Sequence, residues 1–170
     1  LTQVKLAFGS IDIEGGLEVS TKKGLESAEF SSFALSPGDK AQMSITPFRD
    51  GYALRVRGDQ LDLKPMVQRF FGLGNGAGGP QATLVSQTLA IDVDLKRVLG
   101  FYKTTAYNMQ LQLTIKGTDI QKANLQAQLD GGKSVSVTTN PTGNGKVMSV
   151  AFNDLGGLLR FANVYSRIEG

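Results

Sequence analysis

The chain has 170 residues, of which 41% are apolar, and its 18 basic and 15 acidic residues leave a net charge of +3. It contains neither Cys nor His, which excludes disulfides, thiolate chemistry and the usual nitrogen or sulfur ligands of zinc, and removes the commonest side chain for proton transfer. The basic residues are dispersed, and no apolar run approaches the ~18 residues of a membrane-spanning helix. We therefore predict no enzyme activity, no metal or cofactor and no nucleic-acid partner.

The N-terminal part of the chain alternates between apolar and polar residues, the two-residue period of β-strands. The clearest runs are Val4–Phe8, Ile11–Ile13, Leu17–Val19, Phe30–Leu35, Ala41–Ile45 and Tyr52–Val56. Ser36-Pro37-Gly38-Asp39 predicts a turn between two strands, because Pro fixes φ and Gly accepts a positive φ. Asp50-Gly51 predicts a tight hairpin.

A helical period replaces this alternation at Asp62–Phe71, where apolar residues recur every three or four positions. Pro65 is compatible with the first turn of that helix. Residues 72–80 include five glycines and predict a flexible linker. They do not predict a phosphate-binding loop, because they follow a helix and lack the lysine of the G-x-x-x-x-G-K-[ST] motif.

Alternation returns after the linker and is unbroken from Tyr107 to Ile115. Further strands are predicted at Leu125–Leu129, Val135–Val137 and Val147–Phe152. A second helix is predicted at Asp154–Arg167. Asn153 or Asp154 can cap this helix. The segment Asp94–Tyr102 fits either a short helix or the end of a strand.

The second part of the chain repeats the plan of the first. The matched residues are Ala28 and Ala123, Lys40 and Lys133, Pro47 and Pro141, and Gly51 and Gly145, at separations of 95, 93, 94 and 94. Repeated units of this kind bury their apolar faces on their neighbours. We therefore predict a β-rich α+β fold: a curved, mostly antiparallel sheet made of two related halves, 1–71 and 81–170, each ending in a helix. The 170 residues are interpreted as a single fragment of a larger protein.

The apolar strand faces are the best candidates for a functional surface. An apolar ligand would lie against the strands of the second half, and the predicted lining is Tyr107, Met109, Leu111, Leu113, Ile115, Val135 and Val137. The alternative is a scaffold or protein-interaction module in which the two helices cover the same residues as a closed core. Periodicity does not separate these interpretations, because both require apolar residues at the same positions.

Carboxylates are the remaining candidates for chemistry. Asp92 and Asp94 share one face if their segment is extended, and a carboxylate-dependent hydrolase would need such a pair in a cleft with one raised pKa. We expect them instead to lie on a hydrated strand face. Arg57-Gly58-Asp59 spells an adhesion tripeptide, but its position predicts that Asp59 caps a turn into the first helix.

Three stretches resemble the AsmA-like proteins of Gram-negative bacteria. They are Phe33–Ile45, Gly51–Pro65 and Phe152–Tyr165, and the resemblance extends from about Leu17 to Gly170. They are patterns of Gly, Asp and apolar residues and include no catalytic signature.

The resemblance implies a periplasmic segment of a large protein anchored in the inner membrane by an N-terminal helix outside this fragment. Members of that family have repeated sheets that curl into a long apolar groove, and they are implicated in moving phospholipid towards the outer membrane. The expected partners are therefore phospholipid acyl chains and other segments of the same protein. The expected role is lipid transport or outer-membrane biogenesis in the cell envelope.

Overall fold

The computed structural model describes residues 2–22, 24–65, 87–117, 119–142 and 145–163. These residues contain ten strands, a 3-10 turn at Asp130–Gly132 between the eighth and ninth strands, and a C-terminal α-helix. They are β1 (Thr2–Phe8), β2 (Ile11–Ser20), β3 (Gly24–Ala34), β4 (Lys40–Phe48), β5 (Gly51–Asp62), β6 (Thr88–Leu99), β7 (Thr105–Lys116), β8 (Asp119–Leu129), β9 (Lys133–Thr142), β10 (Gly145–Phe152) and α1 (Leu155–Phe161).

All ten strands form one curved, unclosed sheet in which spatial order follows chain order from β1 to β10. Neighbouring strands pair antiparallel everywhere except between β5 and β6, which are parallel. A parallel pair requires the chain to cross back along the sheet, whereas a tight turn suffices for an antiparallel pair. The prediction of a curved, mostly antiparallel, β-rich sheet is confirmed.

One apolar row crosses the whole sheet, because each strand contributes one residue in register with the next. This central row is Val4, Gly15, Phe30, Met43, Val56, Val93, Leu111, Leu125, Val137 and Val150, in order from β1 to β10. Side chains in a cross-strand row contact one another on one face of the sheet. The two-residue alternation in the sequence therefore places one apolar face along all ten strands.

The closed part of the core lies towards one end of this face, where α1 packs on the sheet. Leu95 and Val98 are fully buried there, and Leu158 and Phe161 of α1 pack against the same cluster. The amide N–H of Phe101 donates to the carbonyl oxygen of Phe161 over 3.2 Å. A side chain at Gly100 would collide with the Phe161 ring, so glycine is required for this close approach.

An irregularity runs through the three central strands near this core. Asp59 of β5, Lys96 of β6 and Asn108 of β7 are extra residues, which the pairing of these three strands with one another leaves out. Strands β4 and β8 contain no corresponding extra residue, so β5 and β7 each have a bulge against these outer neighbours. A Cβ at Gly58 would collide with the carbonyl oxygen of Lys40 at this position. Bulges of this kind bend a sheet, and an extra residue moves the following side chains to the opposite face.

The same irregularity accounts for one ambiguous pattern and one wrong prediction in this region. Of the two alternatives for Asp94–Tyr102, a short helix or the end of a strand, the strand is correct, because β6 is extended to Leu99. The helix-like spacing arises because Leu95 and Val98 are both buried on either side of the extra residue. Asp59 lies within β5 and does not cap a helix, because this strand continues to Asp62.

The two predicted helices are only partly within the described residues. Lys64 and Pro65 are helical, and the amide of Lys64 donates to the Asp62 carboxylate over 2.9 Å, whereas Met66–Phe71 and the linker 72–80 lie outside the described residues. The second helix begins as predicted, since the Asp154 carboxylate accepts a 2.8 Å bond from the amide of Gly157. The helix ends at Phe161, where Ala162 is its C-cap, which is earlier than the predicted end at Arg167, and residues 164–167 of the predicted range lie outside the description.

The Asp39 carboxylate fastens the turn before β4 to the end of β5. It accepts bonds from the amides of Leu35 and Ser36, at 3.0 and 2.9 Å, and from the amide of Asp62 at 2.9 Å. Desolvation is the largest influence on its ionisation and raises the pKa of Asp39 above 3.8, although the three N–H donors act in the opposite direction.

We predict that Asp39→Ala lowers the free energy of unfolding by about 1–3 kcal/mol at neutral pH, because three partly buried N–H groups lose their acceptor. Chemical denaturation measures this loss, and Asp12→Ala is the control because Asp12 is exposed. An equal loss in both variants would contradict the role given to Asp39.

The effect of this substitution also depends on pH. A carboxyl whose pKa is raised by folding contributes stability that is complete below its unfolded pKa and is lost as the pH rises through the folded value. We therefore expect the loss caused by Asp39→Ala to be larger below pH 3.8 than at neutral pH, in denaturation series across that range.

Candidate functional site

Two shorter apolar rows lie beside the central row, away from α1. One is Leu17, Ala28, Ile45, Leu54, Ile91, Leu113 and Ala123, from β2 to β8. The other is Tyr52, Leu89, Ile115 and Ile120, from β5 to β8. We call these two rows together with the central row the apolar face.

The apolar face is covered at one end and partly open at the other. Leu95 in β6 is completely buried, but Ile91 and Leu89 of the same strand are only partly buried. Strand β6 lies in the middle of the sheet, so residues on its apolar side would be fully buried if a second layer continued over them. Within the described ranges, no such layer extends beyond the region of α1.

A shallow depression of about 270 Å³ occupies the open end of the apolar face. Its lining comes from the four neighbouring strands β3–β6, and consists of Leu25, Ile45, Tyr52, Leu54 and Leu89. The first half of the chain therefore supplies most of this lining. The surface predicted from the sequence lies instead in the second half of the chain and includes none of these residues.

Most of the predicted lining residues do lie on one face. Leu111 and Val137 belong to the central row, and Leu113 and Ile115 belong to the two flanking rows. Met109 and Val135 share this face but are buried in the closed core, where Met109 pairs with Leu95 and Val135 pairs with Ala127. The structure therefore brings six of the seven together, and four of them are partly accessible.

Tyr107 lies on the other side of the sheet. It pairs with Arg97 and Gln128, which are both exposed, and it is itself 38% exposed, whereas Met109 is 6% exposed. The extra residue in β7 is Asn108, whose φ is +50°, and it reverses the alternation between Tyr107 and Met109. Asn tolerates a positive φ better than most residues, so Asn108 is the one sequence signal for this reversal.

The polar face carries ion pairs that join β5 to β6. Arg57 donates from Nη2 to the Asp92 carboxylate over 2.7 Å and from Nη1 to the Asp92 carbonyl oxygen over 3.0 Å. Arg55 Nε lies 3.8 Å from the same carboxylate. Asp92 and Asp94 do share one face of an extended strand, but the Asp92 carboxylate is engaged by arginine. The arrangement holds two strands together.

A second ion pair crosses the same junction at the irregularity. Lys96 Nζ lies 2.7 Å from the Asp59 carboxylate, and this hydrogen bond, followed by the charge of Lys96, lowers the pKa of Asp59. Asp59 raises the pKa of Lys96 in return, first through the same bond. Both groups are exposed, so the pair contributes little stability in water.

A larger depression of about 650 Å³ lies on the polar face over β1–β5. Its side chains include Glu18, Ser27, Glu29, Ser44 and Arg55, so acidic, basic and hydroxyl groups are mixed. The sequence pattern does not reveal this depression, because the curvature of the sheet that creates it depends on bulges. Gly15 lies at one of these, where a Cβ would collide with the backbone of Glu29.

Comparisons with family models, curated proteins and solved structures found no match for this chain. None of the helices in the described part of the chain is both long and apolar enough to cross a membrane. Across residues 2–22, 24–65, 87–117, 119–142 and 145–163, no group of three or more acidic, His or Cys side chains could hold a metal ion.

We predict that Met109→Ala lowers the free energy of unfolding by about 2–5 kcal/mol, because it removes a buried side chain from the core. Tyr107→Ala should change it by less than about 1 kcal/mol, because surface substitutions are usually mild. Urea denaturation of the two variants measures the difference. Similar losses in both would show that Tyr107 and Met109 lie on the same face.

Proposed function

We propose that this chain is a non-enzymatic segment of an AsmA-like envelope protein, which supports phospholipid transport or outer-membrane assembly by holding acyl chains on its apolar face. The partly open end of that face, in the middle of a ten-stranded sheet, carries the proposal. Apolar surface in the centre of a sheet is normally covered, and an exposed patch of this kind is typical of a binding surface.

The size of the apolar face suits a hydrocarbon chain. Ten strands at a spacing of about 4.8 Å extend the central row over roughly 40 Å along the sheet, before curvature is considered. A bilayer core of about 30 Å contains two acyl chains end to end, so one chain needs only about half of that length. Each CH₂ group removed from water contributes about 0.8 kcal/mol, so partial burial gives reversible retention.

The chemistry of the two faces fits the same role. The apolar depression is lined by Leu25, Ile45, Tyr52, Leu54 and Leu89, whereas the acidic, basic and hydroxyl side chains lie on the opposite face. Acyl chains would therefore lie on the open apolar end, and head groups would remain at its hydrated rim. The Asp92 carboxylate is held by Arg57, and the proposal assigns it to strand pairing rather than to hydrolysis.

The proposal includes the cellular location of the chain. The resemblance in Phe33–Ile45, Gly51–Pro65 and Phe152–Tyr165 supports a periplasmic position and a membrane anchor elsewhere in a longer protein.

We also propose that the two halves are related copies, because equivalent strands begin at equivalent spacings. Gly24 of β3 and Asp119 of β8 are 95 positions apart, and Gly51 of β5 and Gly145 of β10 are 94 apart. A crystal structure in which β3–β5 fail to superpose on β8–β10 would contradict this.

One observation favours the alternative function, a scaffold without a ligand. Leu158 and Phe161 of α1 already cover part of the apolar face. If the chain beyond the described residues covered the rest, the face would be an ordinary core. The two functions differ in whether a charge can be tolerated at the open end.

Leu113→Glu tests the proposal, with Gln112→Glu as its matched control. Gln112 adjoins Leu113 in β7 on the polar face and accepts a 3.2 Å bond from Lys122, so a Glu is tolerated there. We predict that Leu113→Glu remains folded, because Leu113 is partly exposed, but no longer retains phospholipid. Native mass spectrometry after gentle purification should detect phospholipid on the wild type and on Gln112→Glu only.

The scaffold makes the opposite prediction for the same samples. Burying the new carboxylate would unfold Leu113→Glu, as circular dichroism would show, because an unpaired buried charge is strongly unfavourable. Phospholipid would then be missing from the wild type as well. That pair of results would refute the lipid proposal.

A further inference from the structure

The sheet consists of two antiparallel blocks of five strands, which are joined by one parallel pair of strands. Strands β1–β5 form one antiparallel block and β6–β10 form another. The fifth strand of the first block pairs in parallel with the first strand of the second block, from Gly51 opposite Thr88 to Asp62 opposite Leu99. The junction is also fixed by a 2.8 Å bond from the amide of Thr88 to the carbonyl oxygen of Asp50.

The two outer edges of the sheet present the same two kinds of strand. β10 is the fifth strand of its block and β1 is the first strand of its own, and each pairs on one side only among the described residues. An edge strand offers unpaired N–H and C=O groups, and natural edges are usually protected by charges, proline or bulges. β10 contains neither proline nor any charged residue except Lys146.

Both edges also expose large apolar side chains. Val150 and Phe152 of β10 are 49% and 41% exposed, and Leu6 of β1 is 52% exposed. Val150 and Val4 are the two ends of the central row. The central row therefore ends at both edges on a strand that has no hydrogen-bonded neighbour on its outer side among the described residues.

We propose that two copies of this chain join edge to edge, with β10 of one copy pairing in parallel with β1 of the other. The internal junction sets the register, because there the central-row residue of the fifth strand, Val56, lies opposite that of the first strand, Val93. The same rule places Val150 opposite Val4 and Phe152 opposite Leu6. Repetition of this head-to-tail contact gives an open assembly, since it does not close on itself as a twofold dimer does.

This register is chemically compatible at every position. Lys5 falls opposite Ala151, and Lys146 lies beyond the start of β1, so no like charges face each other. The contact would cover apolar side chains at both edges and would extend the central row from one copy to the next. The inference rests on strand pairing and holds whether or not the apolar face binds lipid.

Cross-linking through single cysteines tests the pairing and its register. The chain contains no Cys, so each introduced thiol is unique. Val4→Cys and Val150→Cys proteins are prepared separately, mixed, and treated with a short bifunctional maleimide. We expect covalent dimers in the mixture and only monomers in each protein alone, as resolved by denaturing electrophoresis. The register control mixes Lys5→Cys with Val150→Cys, and its yield should be several-fold lower because Lys5 is on the opposite face.

Three outcomes would overturn the proposal. Dimers of Val150→Cys alone would show symmetric pairing of two β10 edges, and a link within one chain carrying both cysteines would show contact between its own edges. A wild-type mass that stays monomeric at all concentrations in analytical ultracentrifugation would rule out assembly.

The variant Val150→Lys tests the contact independently of cross-linking. Val150 is half exposed, so the fold should survive, as circular dichroism would show, and the concentration-dependent increase in mass should disappear. An assembly unaffected by this charge would count against the β10 edge.

Discussion

The parallel pairing of β5 with β6 is the constraint on which the rest of the structure depends. Each block on either side is an antiparallel meander, and without this junction the chain would form two smaller sheets with four free edges. The pairing aligns Val56 with Val93, so that one apolar row continues through the middle of the molecule. The ion pairs of Arg57 with Asp92 and of Lys96 with Asp59 cross the same junction on the polar side.

This continuity links the fold to the proposed function. The central row can be a surface for a long apolar ligand only because its residues belong to a single sheet. The closed core around Leu95 and α1 stabilises one end of that sheet, which allows the other end to remain partly open without the loss of the fold. The stability of the fold and the proposed binding therefore depend on different regions of the same face. The edge-to-edge pairing inferred for β10 and β1 of two copies would repeat the parallel pairing and the register of β5 and β6.

The class of fold and the positions of most strands could be predicted from the sequence, because the alternation of apolar and polar residues is a local property of each strand. It could not reveal which strands are neighbours or that β5 and β6 are parallel, since the period identifies a face but not a partner. The positions of the bulges could not be predicted from the alternation either. One extra residue at Asn108 moved Tyr107 off the predicted surface, and one at Lys96 gave an extended strand a helix-like pattern. The depression lined by Tyr52 and Leu89 depends on that unforeseen junction.

Amide hydrogen exchange in β5, followed by NMR, tests the central junction most directly. Successive amides of a strand point alternately to its two neighbours, so every second N–H of β5 faces β4 and the others face β6. If the ten strands form one sheet, both sets should exchange slowly and to a similar extent across Tyr52–Arg57. Slow exchange in only one alternate set, with the other as fast as the outer edge of β10, would show that the two blocks are separate and would contradict the account.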